Sequence, residues 1–282
     1  VDTANPAYSL SGVSQRIRMA GRRSTTYSET GGTFDNHLAR LQDDNDGNMD
    51  DLHTWRDDYQ ADLVALIVDD TDPQPNGNQT FGLAYVAGGA GDEAWGFSVT
   101  DQAFAASATN WSLPHELGHN MGSRHDQLQG GTGITSYAYG HSFNGDTQGS
   151  LRTIMARRAL GGTRIQRFSN PSVNFDGQPT GIAIGEANEA DNRSAFAVSD
   201  SNVANYRSEL PDTIWVDFNY TGPFYLGTFT YPYRYITQAE DQVRWNGTIF
   251  IKASSRTGGT TYTLGADRAY KIESYGGTTT LQ

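Results

Sequence analysis

The chain has 282 residues, a formal net charge of −12 from 20 basic and 32 acidic residues, and no cysteine. That length suits one large or two smaller domains with a sizeable core. The acidic balance argues against nucleic-acid binding, which needs a basic face; disulfides are excluded, and no apolar run reaches the length of a membrane span.

In chain order, residues 5–10 form a short, weakly amphipathic stretch, and residues 16–20 alternate as a strand does. Residues 33–41 predict a helix with Phe34, Leu38 and Leu41 on one face. An acidic loop, residues 43–51, runs into a second predicted helix over 49–59, with Leu52, Trp55 and Tyr59 at helical spacing. Residues 62–68 are mostly apolar, the pattern of a strand buried on both faces, and 69–78 is a turn-rich loop. The next helix is expected to begin near Ser112, a residue suited to cap it, because Pro114 is tolerated only in a first turn. After an irregular Gly-rich stretch, residues 189–206 predict a closing helix carrying Phe196, Val203 and Tyr206, with a break near Asp200. Helices alternating with buried strands give an α/β (α+β) layered domain over residues 1–209. From Leu210 aromatic and β-branched residues alternate with Gly and Thr, so 212–282 is expected to be a small all-β module.

Residues 115–126 read H-E-L-G-H-N-M-G-S-R-H-D and hold half of the chain's six histidines. Positions four apart share a helix face, so His115 and His119 can point at one metal ion. Glu116 is one position round, within reach of a water on that ion. Gly122 allows a positive-φ exit from the helix, which brings His125 back as a third ligand. Three imidazoles and one open position describe a catalytic zinc site with Glu116 as proton carrier. The plainer alternative is an exposed helix with idle histidines. His-Glu-x-x-His alone arises by chance in about one chain in a hundred, and the added Gly and His lower that by about a further thousandfold.

The extended motif resembles that of the metzincin zinc endopeptidases, and Asp126 after the third histidine is most similar to the adamalysin (reprolysin) branch. The likeness spans about residues 1–208. Gly82-Leu83-Ala84-Tyr85-Val86 resembles the family's substrate-binding edge strand, which implies that Gly82 and Ala84 contact an extended peptide. Trp95-Gly96-Phe97-Ser98-Val99 resembles the strand leading to the active-site helix. Thr153-Ile154-Met155-Ala156 resembles the Met-turn, with Met155 beneath the metal and not bound to it. Arg167-Phe168-Ser169-Asn170-Pro171 resembles the segment that closes the specificity wall. The resemblance implies a twisted mixed sheet, a long active-site helix, one catalytic zinc and protein or peptide substrates. It further implies a secreted, extracellular enzyme; a start at Val1 within domain-like sequence adds the expectation of a mature form whose propeptide has been removed, and a monomer is expected. Arg157 stands where astacin- and serralysin-like members carry a tyrosine, so three protein ligands plus water are expected. Animal adamalysins are disulfide-bonded, so a chain without cysteine is expected to be of bacterial type.

Two further features stay open between readings. Arg152, Arg157, Arg158, Arg164 and Arg167 are either surface arginines paired with the many aspartates or a means of recognising acidic groups on a substrate. The acidic loop at 43–51 is either solvated or a calcium site; its spacing misses the EF-hand pattern. In the C-terminal part, V-D-F-N-Y-T-G, G-T-F-T-Y-P-Y and G-T-I-F-I-K-A resemble the opening coil of bacterial right-handed β-helix proteins, and a lone coil is not stable. The rival function is a matrix- or polysaccharide-binding protein in which residues 212–282 carry the main role.

Overall fold

The computed structural model describes residues 1–69, 72–73, 79–107, 109–157, 161–253 and 269–278; Arg158 and most of the loop at 70–78 lie outside them. The chain divides into two compact units. The first comprises Val1–Arg18, Thr26–His53 and Asp62–Tyr206, and the second Met19–Thr25, Thr54–Ala61 and Arg207–Gln282.

The first unit holds a small mixed sheet. Strand β1 (Val64–Val68) runs parallel to β3 (Phe97–Asp101), and β2 (Gly82–Ala84) pairs antiparallel on the other side of β3, in the order β1-β3-β2. The strand buried on both faces is β3, where all five residues are buried. The expectation placed this character in residues 62–68. In β1 burial instead alternates, with Ile67 43% exposed, because an edge strand is covered less fully than a central one.

Helix α1 (Ala4–Leu10) and helix α2 (Phe34–Gln42) pack on different cores. Thr33 caps α2 by accepting from the Asn36 N–H, and the Asn36 side chain reciprocates at the Thr33 N–H. This capping box lets Phe34, Leu38 and Leu41 face Leu66, Val68, Phe97 and Val99. The second core joins Ala4, Ala7 and Tyr8 to Leu117, Met121, Ile154, Met155, Phe168 and Phe196. It therefore lies directly under the histidine motif.

Several expectations are corrected. Residues 16–20 form no strand: both backbone groups of Ile17 are taken by the Asn5 side chain, whose Nδ2 donates to Ile17 O at 2.9 Å and whose Oδ1 accepts from Ile17 N at 2.8 Å. The second helix, α3 (Asp51–Asp58), starts later than expected, since Met49 sits at φ 60 and cannot belong to a right-handed helix. The motif helix α4 (Ser112–Asn120) is nine residues and not long, and Ser112 is its first residue, not its cap; Trp111 precedes it at φ 46 without a side-chain cap. The closing helix α5 (Asn192–Val203) is capped by Asp191 and runs unbroken past Asp200.

The second unit contains three parallel strands, β7 (Thr213–Val216), β8 (Thr248–Lys252) and β9 (Lys271–Tyr275), with Ile214 opposite Ile249 and Ile249 opposite Ile272. Ile214, Val216, Ile249 and Ile251 are buried with Phe218, Ile236, Ala239 and Val243. Two of those come from the short helix α6 (Ile236–Glu240), so the unit is not all-β. Its Gln-Ala-Glu run favours a helix, and at its start Gln238 Oε1 accepts from the Tyr235 N–H at 3.1 Å.

Candidate metal centre and substrate cleft

Helix α4 places His115 and His119 one turn apart. The chain then reverses at Gly122, where φ is +88 and an added Cβ would press on Ile134 and on the Ala87 carbonyl. Gly122 N–H donates to His119 O at 2.8 Å and Ser123 N–H to Gly118 O at 3.0 Å, which closes the helix end. The reversal returns His125 to the other two histidines. Its Nε2 lies 3.1 Å from Nε2 of His119 and 3.1 Å from Nε2 of His115.

These spacings fit a tetrahedral ion. Nitrogens held about 2.0–2.1 Å from zinc stand about 3.3 Å apart. Among the described residues the triad is the group of three or more potential ligands whose atoms lie within 4.8 Å of one another. The outer nitrogens set the tautomer: Nδ1 of His115 donates to Ile154 O and Nδ1 of His119 to Ser123 O, each at 2.7 Å. Both Nε2 lone pairs therefore face the common centre, the arrangement that orients metal-binding histidines. His125 differs, because its Nδ1 accepts from Arg157 Nε at 2.8 Å.

Burial governs the electrostatics. It holds His119 down at about 4 and His125 at about 2, and it depresses His115 well below the usual imidazole range, with the neighbouring histidines and arginines adding to the effect on His115 and His125. Neutral imidazoles are the form a metal binds. Glu116 is 4% exposed, and burial pushes its carboxyl up to about 8 against the opposing pull of Arg164. A carboxyl raised toward neutrality is suited to carry a proton both ways.

The surroundings are built around this group. A Cβ at Gly82 would stand 2.5 Å from Glu116 Oε1, so the backbone of β2 lies directly against that carboxylate. The other edge of β2 pairs with no strand among the described residues, and Ala84 lies two residues along it. Met155 is fully buried, with its sulfur where a side chain at position 118 would go. Asp126 is buried and accepts from the Arg157 N–H at 3.4 Å. The structure thus gathers His115, Glu116, His119, Gly122, His125, Asp126, Met155 and Gly82, and it sets Arg157 against His125. In the acidic loop Asp43, Asp46 and Asp50 accept from the backbone N–H groups of Asn45, Asn48 and Gly47.

Sequence reasoning missed three supporting residues. Asn120 Nδ2 donates to Tyr85 O and Phe97 O, each at 3.0 Å, and ties α4 to the sheet. Asn192 Nδ2 donates to Ser123 Oγ at 2.8 Å, while Ser169 Oγ donates to Asn192 Oδ1 at 2.9 Å. That fully buried network steadies the loop whose carbonyl orients His119. Asn120 adjoins the motif and was open to notice. The Ser123–Asn192–Ser169 contact spans 69 positions and leaves no local pattern.

Buried neutral imidazoles converging beside a protonatable carboxyl, beneath an open strand edge, make a centre of the metallopeptidase class. Comparison places the chain within that class. It belongs to the reprolysin-like metallopeptidase family M12B, whose family model matches residues 1–189. It is 32% identical over 208 residues to a peptidyl-Asp metalloendopeptidase of Xanthomonas campestris pv. campestris, covering 73% of this chain and 45% of that protein. A protein of the same name from Stenotrophomonas maltophilia is 32% identical over 210 residues, covering 73% and 46%. One from Pseudomonas aeruginosa is 27% identical over 234 residues, covering 76% and 37%. The chain spans about half the length of the first two relatives. No solved structure matches. The family assignment agrees with the reprolysin likeness, and these relatives are bacterial, as the lack of cysteine implied.

Two outcomes follow from the geometry. Gly82→Ala drives a methyl group into Glu116, so catalytic turnover is expected to fall by about two orders of magnitude while zinc content, read by metal analysis, stays near that of the parent. The second concerns the metal-free protein. The three histidines are depressed on folding, so the unfolded chain binds more of their protons and their contribution to stability is lost as pH falls below about 6.5. Glu116 is raised on folding, so its contribution is present below 4.5 and lost as pH rises through about 8. Denaturant unfolding without metal is therefore expected to show this cluster's contribution greatest near pH 6.5, and Glu116→Gln to remove the alkaline decline.

Proposed function

We propose that this chain is a secreted zinc-dependent endopeptidase that cleaves proteins with a preference for aspartate at the cut. The observation that carries the reading is the convergence of His115 and His119, each Nε2 3.1 Å from Nε2 of His125, beside buried Glu116. Zinc held by His115, His119 and His125 would supply a Lewis acid toward the scissile carbonyl and the attacking water. Glu116 takes the proton from that water and delivers it to the leaving amine, an exchange its raised affinity for protons assists. The open edge of β2 offers main-chain groups to an extended peptide. Gly82 brings that peptide to the carboxylate, and Met155 supports the triad from below. The name of the relatives and the arginines at 152, 157, 164 and 167 together favour an acidic residue in the substrate. Extracellular action rests on the family likeness. The described residues contain no helix long and apolar enough to cross a membrane.

A second reading is favoured by a separate observation. In the second unit Phe224 is 58% exposed, Leu226 58%, Phe229 50% and Tyr275 50%, and Trp215 packs against Phe229, Phe250 and Tyr275. So much exposed aromatic surface suits a surface that binds matrix or polysaccharide, with residues 212–282 forming a β-helix-like module. Replacing Phe224 and Phe229 by serine is expected to lower retention on insoluble polysaccharide or protein without altering cleavage of soluble peptides. Unchanged retention would remove this reading.

For the endopeptidase, Glu116→Ala is expected to lose cleavage of a generic protein substrate by at least about a hundredfold while still binding one zinc per chain. A variant that keeps activity, or an inactive parent that binds zinc, would overturn it.

A further inference from the structure

The arginines near the centre are not equivalent. Arg157 is exposed and its Nε is engaged by His125. Arg167 lies over the Phe175 ring and donates to Gln166 O. Arg152 is buried and donates to Gly162 O at 3.1 Å and Ala156 O at 3.0 Å. Arg164 stands apart. It lies on the short strand β6 (Thr163–Arg164), parallel to β5 (Ser150–Arg152), with Arg164 directly opposite Arg152.

The guanidinium of Arg164 reaches between two parts of the centre. Its Nη1 donates to Asn110 O at 2.5 Å, just before α4, and its Nη2 makes a long contact of 3.4 Å with Ala156 O in the Met-turn. Its Nε is buried and has no partner. Every partner is a neutral carbonyl, and among the described residues Arg164 forms no ion pair. With one partner just before α4 and the other in the Met-turn, the charge sits beside the segments that carry the reacting groups. Burial, with Arg152 alongside, pushes its own pKa down to about 9.

A largely desolvated cation that no carboxylate hydrogen-bonds, next to a second cation, costs folding free energy. Such a group persists where function supplies the missing charge. Guanidinium is the side chain best matched to a carboxylate. We propose that Arg164 is the specificity-determining residue of this site, and that it holds the carboxylate of an acidic side chain adjoining the scissile bond. The assignment rests on the endopeptidase reading above and names the residue that confers its acidic preference. Arg152, opposite it in the strand pair, adds a second positive charge.

The test uses the zinc-loaded full chain and paired peptides that differ only in Asp or Asn, with the cut mapped by mass spectrometry. The parent is expected to favour the Asp peptide in kcat/KM. In Arg164→Gln the Asp-over-Asn ratio is expected to fall by about 10- to 100-fold, the worth of a charge-assisted hydrogen bond. Arg164→Lys is expected to recover part of it. A purely structural role would lower both peptides together and leave the ratio unchanged, and that result would overturn the assignment. Should Arg164→Gln melt below the assay temperature, Arg164→Lys decides: a ratio cut tenfold supports the assignment and an unaltered ratio overturns it. Calorimetric binding of the two peptides to the metal-free parent and Arg164→Lys reads the same preference apart from turnover. A parent that cleaves no peptide defeats the endopeptidase reading itself. A parent that cleaves both peptides equally defeats only the acidic preference, and this assignment with it.

Discussion

Three imidazole Nε2 atoms converging on one buried point are the constraint on which the first unit depends. The lone pairs of His115 and His119 are drawn there into a desolvated site, which is unfavourable until a cation accepts them. The fold must therefore impose the arrangement. It does so through parts that serve no other evident purpose: the glycine reversal at 122, the carbonyls of Ile154 and Ser123, and the buried Ser123–Asn192–Ser169 network. A hydrophobic core of Tyr8, Leu117, Met121, Met155, Phe168 and Phe196 holds those parts in place from beneath. Metal affinity here is the sum of that prepayment, since a preorganised site gives its ligand the benefit of strain already accepted in folding.

The charges around the centre follow the same logic. Imidazoles are kept neutral and the carboxyl is kept easily protonated, both mainly by exclusion of water. One desolvation effect thus prepares the metal-binding groups and the proton carrier together. The proposed role of Arg164 fits this logic, since a cation at the centre would favour an anionic peptide in a protein whose net charge is −12.

Legibility in the sequence was uneven for physical reasons. The histidines, Glu116 and Gly122 could be read because helix periodicity and a positive-φ glycine are local rules that show in consecutive residues, whereas Met155 was legible only through the family resemblance. Helix α2 was legible because Thr33 and its apolar face agree with each other. Residues 16–20 misled because alternation says nothing about whether a partner strand exists, and the Asn5 side chain took its place. The doubly buried strand was assigned to 62–68 because composition cannot tell a central strand from an edge, a distinction made only by which strand pairs on both sides. Arg164 was visible only as one of five similar residues; its separate character arises from Asn110 and Ala156, 54 and 8 positions away.

Asn120 carries a consequence of its own. Its amide bridges the strand-end carbonyls of Tyr85 and Phe97, and its own helix bears His115 and His119. The platform on which a peptide would lie and the helix that presents the imidazoles are thereby fastened into one rigid piece. Sites joined in this way are thermodynamically reciprocal. Whatever order the ion imposes on the strand, a docked peptide returns to the ion, by the same factor. Chelators would then compete less well while the cleft is filled, and substrate would protect its own cofactor.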